Sequence, residues 1–167
     1  MRIATTRFGS LEHIEVPDDQ IYDFYPGLGG FEDDHRYALI IDDESVMRWL
    51  QSLAKPAVCF PLLEPALVVP GYAFELPDAD AEALGVEKDD EVQVHVVVSL
   101  RDPLTDSTAN LMAPVITNPA ARLGRQVVLQ DSDHSLRYRV FAGLDLTIVP
   151  EHVESLEEEQ EQAQSAA

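Results

Sequence analysis

Hydrophobic positions in this chain recur mostly at every second residue, in short runs. In EVQVHVVVSL (residues 91–100), Val92, Val94, Val96, Val98 and Leu100 share one face while Gln93, His95 and Ser99 take the other, the period of two expected of a half-buried strand. On that face His95 reads as a solvated or turn-packed histidine. Comparable runs predict strands over Arg2 to Phe8, Leu11 to Val16, Tyr37 to Ile41, Met47 to Leu53, Ala57 to Leu63, Ala109 to Thr117 and Arg125 to Gln130. Turn-forming residues separate them: Phe8-Gly9-Ser10, Tyr25-Pro26-Gly27-Leu28-Gly29-Gly30, Asp42-Asp43-Glu44 and Asn118-Pro119. Short strands with tight turns predict an all-β fold, a sandwich or barrel of antiparallel strands.

Helical signals are few. Leu76 to Gly85 has acidic residues in its first turn, alanines within it and a glycine placed to stop it. Asp18 to Phe24, after Pro17, is a second and less regular helical candidate. From residue 151 the chain reads EHVESLEEEQEQAQSAA, with six glutamates, no Lys or Arg and almost no large apolar side chain. Such a segment buries too little surface to offset its ordering entropy. The expected organisation is therefore one domain over residues 1–145 and an acidic tail, disordered or frayed-helical, over residues 146–167.

The length of 167 residues fits that single domain, and a chain of this size buries roughly 70% of the surface its unfolded form exposes. The longest uncharged runs, such as residues 57–63, fall far short of the ~20 residues that span a bilayer. The N-terminus MRIATTRFGSLEHIEV lacks a charged region followed by an apolar stretch, so no secretory signal is expected and cytoplasm is the default compartment. Charge is the unusual bulk property: 31 acidic against 11 basic side chains give a formal net charge of -20. That sign argues against direct DNA or RNA binding, since phosphate contacts need Lys or Arg. It suits capture of a basic partner, and it equally suits plain solubility or an acid-rich proteome such as a halophile's.

Candidate chemistry is sparse. His13, His35, His95, His134 and His152 are scattered, with no metal-ligand spacing. Cys59 sits in Ala57-Val58-Cys59-Phe60, where a thiol behaves as a small core hydrophobe. Asp131-Ser132-Asp133-His134-Ser135 starts like a calcium loop, but Leu136 stands where the loop needs glycine and Ala142 where it needs glutamate. Glu32-Asp33-Asp34 and Asp89-Asp90-Glu91 adjoin turns and read as solvated faces, and Gly27-Leu28-Gly29-Gly30 matches no phosphate-binding loop. No catalytic, cofactor-binding or metal-binding residue is therefore predicted. What remains is surface: Glu64-Pro65 and Pro70-Gly71-Tyr72-Ala73-Phe74-Glu75 join prolines and aromatics to acids, as an edge strand with its turn or as a docking patch.

Several stretches, taken in order, resemble the flagellar assembly factor FliW family. They are Gly27-Leu28-x-Gly30-Phe31-Glu32, Trp49-Leu50-Gln51-Ser52, Pro70-Gly71-Tyr72-x-Phe74-Glu75-Leu76, Thr108-Ala109-Asn110-Leu111-Met112-Ala113-Pro114, Gly124-Arg125-Gln126-Val127-Val128-Leu129 and Asp131-Ser132-Asp133. The resemblance covers residues 1–140 and implies a small barrel-like protein, monomeric when unbound and not an enzyme. It implies two partners in the cytoplasm, flagellin and the basic translational regulator CsrA. In the implied cycle flagellin occupies the factor until export removes it. The freed factor then binds CsrA outside its RNA site and stops it repressing flagellin translation.

Motif position and expected exposure nominate Phe31, Glu32, Glu64, Tyr72, Glu75 and Asn110 as partner-binding residues. Core packing is the competing reading for Phe31 and Phe74, and a turn-pinning role competes for Asn110. The family commonly reads Phe-Pro-x-Gly-Leu-Pro-Gly-Phe where this chain has Phe24-Tyr25-Pro26-Gly27-Leu28-Gly29-Gly30-Phe31. Glycine in place of the second proline predicts a looser loop. A small-ligand-binding or enzymatic barrel is the alternative function, and it requires a pocket lined by converging polar groups. An acidic structural domain without a defined partner is the third.

Overall fold

The computed structural model describes residues 1–130 and 132–142. Its strands are β1 (Arg2–Thr5), β2 (Glu12–Glu15), β3 (Ile21–Phe24), β4 (Arg36–Ile41), β5 (Arg48–Ser52), β6 (Cys59–Leu63), β7 (Gln93–Ser99), β8 (Thr108–Ala109), β9 (Val115–Asn118), β10 (Leu123–Gln126) and β11 (Tyr138–Arg139). Seven of them pair in the order β7-β6-β5-β4-β3-β10-β9, and β9 pairs back onto β7, closing a barrel. Every pairing is antiparallel except β3 with β10. The all-β barrel expected from the strand pattern is thus present, with one parallel seam. Closure removes the exposed edges that an open sheet of short strands would offer for aggregation.

Alternation divides the apolar residues between the inside and outside of this wall. Tyr22, Phe24, Tyr37, Leu39, Leu50, Leu62 and Val115 fill the interior together with Leu28, which enters from the loop after β3, and Phe60 and Val97 pack against them. The opposite faces are covered in three places. The β1–β2 hairpin lies over Ile21, Ala38, Ile40 and Trp49. Helix α1 (Asp78–Ala83) and its flanks cover Ile116, Val127 and Leu129. The short β8 and β11 strands, with Val68, Val69 and Tyr72, cover Leu63, Val96 and Val98. Each fully buried large apolar side chain contributes roughly 1.5–3 kcal/mol, so a wall covered on both faces concentrates stability in few residues.

Double coverage also accounts for where the sequence pattern misleads. Asp18 to Phe24 was expected to be helical, yet only Asp18–Gln20 forms a single 3₁₀ turn. Ile21–Phe24 is a barrel strand, because Ile21 packs outward while Tyr22 and Phe24 pack inward. Ala109 to Thr117, expected as one strand, is split into β8 and β9 by the turn at Asn110 and by Pro114. His95, expected in solvent or against a turn, is only 4% exposed, because its face of β7 is the barrel interior. The helix expected over Leu76 to Gly85 is present as α1, and Gly85 ends it at a φ of 63°. The predicted tail of residues 146–167 and residue 131 of the calcium-like loop lie outside the described residues.

Candidate functional site

A closed barrel of short strands presents two open mouths, and each holds a cleft. Strand registers place the start of β7 and the ends of β4 and β6 at one mouth, and the end of β7, the start of β6 and the end of β10 at the other. Odd-numbered residues of β7 face inward, so Gln93 and His95 belong to the first mouth and Ser99 and Arg101 to the second.

The first cleft, of about 410 Å³, is lined by Ile41, Arg48, Glu64, Tyr72, Phe74 and His95 among others. His95 lies at its floor with Nδ1 buried and without a hydrogen-bond partner. Burial pushes its pKa down to about 4, with Arg48 acting in the same direction and Glu64 opposing. The imidazole is therefore neutral near pH 7. Arg48 lies on the same wall and donates through Nη1 to the Ser45 and Asp42 carbonyls, at 2.8 and 3.3 Å. The outer wall is the segment from Glu64 to Phe74. Tyr72 donates its hydroxyl to the Leu111 carbonyl at 2.6 Å, and burial raises its pKa to about 12. Its ring meets Phe74 edge-on at 5.9 Å and the His134 ring at 4.6 Å. Beside it, Leu67 is 50% exposed.

The second cleft, of about 520 Å³, has an apolar floor of Leu28, Phe60 and Val97, and its rim includes Arg101, Asp106, Asn110, Leu136 and Arg137. The loop after β3 forms one side. Within it, Gly29 donates its N–H to Gln126 Oε1 at 2.9 Å, and Gln126 Nε2 donates to the Ala113 carbonyl at 3.3 Å. The glycine that replaces the family's second proline thus supplies a donor that proline lacks, tying the loop to β10.

The six nominated residues do not form one patch. Glu64 and Tyr72 meet at the first mouth, and Asn110 lines the second. Phe31 is half-buried, edge-on to Phe60 at 5.2 Å, which joins it to the second mouth through packing. Glu32 is exposed, and its carboxylate accepts the Gly30 N–H at 2.9 Å, which holds its pKa below the usual range. Glu75 is exposed and lines neither cleft. Asn110 Oδ1 accepts from the Met112 and Ala113 N–H groups, both at 3.1 Å, so the asparagine pins the turn between β8 and β9. Phe74 is half-buried against the cluster under α1.

Sequence reasoning missed His95, Arg48, Arg101 and Arg137. The one usable signal was VHVVV itself: a histidine within a continuous apolar run fits a strand buried on both faces. The Trp49-Leu50-Gln51-Ser52 motif has a structural account. Gln51 is fully buried, and its Nε2 donates to the Ser52, Lys55, Pro56 and Val58 carbonyls, at 3.1 to 3.3 Å, fastening the turn between β5 and β6. Cys59 is half-buried and its thiol is pushed up to about 12 by burial, which makes it a poor nucleophile. Among the described residues no group of three or more His, Cys, Asp or Glu is placed to hold a metal ion, and no helix is long and apolar enough to cross a membrane.

The barrel and its loops coincide with a known family. The family model described as FliW protein matches residues 2–140. The chain belongs to the FliW family. The flagellar assembly factor FliW of Bdellovibrio bacteriovorus is 39% identical over 150 residues, covering 89% of this chain and 84% of that protein. The factor of the same name from Desulfitobacterium hafniense is 36% identical, covering 90% and 98%. A crystal structure of the flagellar assembly factor FliW superposes with a TM-score of 0.75 at 34% identity, covering 84% of this chain and 96% of that one. The FliW likeness thus runs through both mouths and every covering element of the barrel.

Proposed function

We propose that the protein is a cytoplasmic flagellar assembly factor that binds flagellin and antagonises CsrA, tying flagellin translation to export, and that it catalyses no reaction. The observation that carries this reading is the family match over residues 2–140, which spans the whole barrel. The surface is suited to the role. The segment from Glu64 to Glu75 presents Glu64, half-exposed Leu67 and the ring of Tyr72 beside a cleft, a mixture of apolar anchor and acidic rim that fits an amphipathic helical segment. A formal charge of -20 favours fast encounter with a basic regulator. Calorimetric titration of the purified protein into flagellin and into CsrA at low salt tests the proposal. Sub-millimolar binding to both is expected, and binding to neither overturns it.

A small-ligand role has one observation in its favour, the unpartnered His95 imidazole at the floor of the first cleft. The barrel interior beneath it is packed with apolar side chains, so a ligand could occupy the mouth alone. A His95→Leu variant that keeps full affinity for flagellin and CsrA would separate the two roles.

A further inference from the structure

Arg101 and Arg137 stand apart from the other arginines. Arg36 and Arg125 pair with Asp23 and Asp80, Arg7 lies beside Glu12, and Arg48 and Arg122 donate to backbone carbonyls. The guanidinium groups of Arg101 and Arg137 have neither an ion pair nor a hydrogen bond among the described residues, and both line the second mouth. Arg139, next in the chain, donates to Asp106 at 3.2 Å and to the Thr105 carbonyl at 3.0 Å on the same side. Asn110 Oδ1 is used by its turn, which leaves its Nδ2 facing the cleft with the Ser99 and Thr108 hydroxyls. Asp106, the one carboxylate on this rim, is held by Arg139. In a chain of net charge -20 this mouth is a concentration of unused donors, a setting for carboxylates.

The chain leaves the described structure at the same place. Val140 donates its N–H to the Ser107 carbonyl at 3.3 Å, and Arg101 donates its N–H to Ser107 Oγ at 2.9 Å, so one serine fixes both segments. Residues 143–167 carry seven of the 31 acidic side chains and none of the 11 basic ones. The eight residues 143–150 reach up to roughly 26 Å when extended. We propose that the glutamate-rich stretch of residues 151–161 docks on the arginine mouth of its own chain and controls which other acidic segments can reach it.

Tethering supplies the affinity. A linked segment is present at millimolar effective concentration, whereas a free acidic peptide must approach through the field of a strongly acidic protein. Exposed ion pairs are individually weak and screened by salt, so the docked state is displaceable, as a regulatory contact requires. Leu156, inside the glutamate run, offers an apolar contact for Leu136, which is 60% exposed on the rim.

Arginine modification by phenylglyoxal, mapped residue by residue by mass spectrometry on the intact chain, tests this independently of the flagellin and CsrA reading. The comparison is with a variant carrying Glu154→Gln, Glu157→Gln, Glu158→Gln, Glu159→Gln and Glu161→Gln, changes that leave every barrel residue in place. Arg101 and Arg137 should react about three-fold faster in the variant, the factor for a mouth two-thirds occupied, while Arg2 on the β1–β2 hairpin is unchanged. Raising the salt to about 1 M, where the screening length falls to about 3 Å, should erase the difference. Equal rates in the two proteins at low salt overturn the proposal. Protection that grows with protein concentration overturns it as well, because the occupant would then be the tail of a second copy.

Discussion

The two mouths of the barrel are built from the same face of the same strand and have opposite chemistry. Residues 93, 95, 97, 99 and 101 follow one another along β7 and its continuation, all directed inward. At one end His95 is 4% exposed and electrically silent near pH 7. At the other, Arg101 is exposed and charged with no partner among the described residues. The difference lies in what crosses over each opening. The segment from Glu64 to Phe74 walls the first mouth with two aromatic rings, so water is excluded and the imidazole loses its proton. The loop after β3 sends only Leu28 into the second, which leaves the rim wet and its guanidinium groups ionised. Strand position thus sets direction, and the covering loop sets electrostatics.

The most disruptive test removes the frame that both mouths share. Gly124 lies on the inner wall, where an added Cβ would overlap the ring of Phe24. Gly124→Ala should destabilise the fold by about 3 kcal/mol and lower the melting temperature by roughly 6–12 °C in thermal unfolding. Gly29→Ala, whose Cβ would sit 3.4 Å from Gln126 Oε1, should be nearly neutral in the same assay.

Next in size is the pH response of the first mouth. His95 titrates near pH 4 when folded against 6.5 ordinarily, so below pH 6.5 the unfolded chain takes up a proton that the folded chain refuses. Stability from this source is complete above pH 6.5 and is lost as pH falls towards 4, at about 1.4 kcal/mol per pH unit and about 3 kcal/mol in all. Urea unfolding of the natural chain and of His95→Leu at pH 7, 5 and 4 isolates this contribution. The two stability curves should converge on acidification in favour of the variant, and parallel curves would refute the assignment.

Smaller effects sharpen the contrast further. Asn110→Ala strips the acceptor from two turn N–H groups at the second mouth and should cost about 1–2 kcal/mol, with Asn110→Asp restoring most of it. Tyr72→Phe removes one hydrogen bond at the first mouth and should cost about 1 kcal/mol in the same denaturation measurement. Arg101→Ala, at an exposed site with no partner among the described residues, should stay within about 0.5 kcal/mol. If Arg101→Ala proves as costly as Asn110→Ala, the description of the second mouth as a wet, unpaired rim fails.

Much of the frame was legible in residues alone. Turn chemistry bounded the strands, Gly85 ended the helix, and Asn110 pinned its turn as its local pattern suggested. The Asp18 to Phe24 segment was misread because Pro17 and two aspartates imitate a helix start, whereas inward Tyr22 and Phe24 and outward Ile21 belong to a doubly covered wall. Of the nominated partner residues, Glu64 and Tyr72 share a cleft, while Glu75 shares none. Motif position shows that a residue recurs but not which opening it lines.

Sequence by itself determined the strand-rich fold, the position of the turns, the strongly acidic balance and, through its ordered motifs, the family. These follow from short-range rules, since the period of two, glycine and proline geometry and net charge can be read without knowing what lies across the barrel. Tertiary structure alone decided which pairing closes the wall, that β3 and β10 run parallel, and that His95 is buried while Arg101 is not. Those outcomes depend on contacts between residues far apart in the chain, such as Gln93 with Thr117 or Tyr72 with Leu111. A side chain's burial, and with it its pKa, is a property of whatever the fold lays over it.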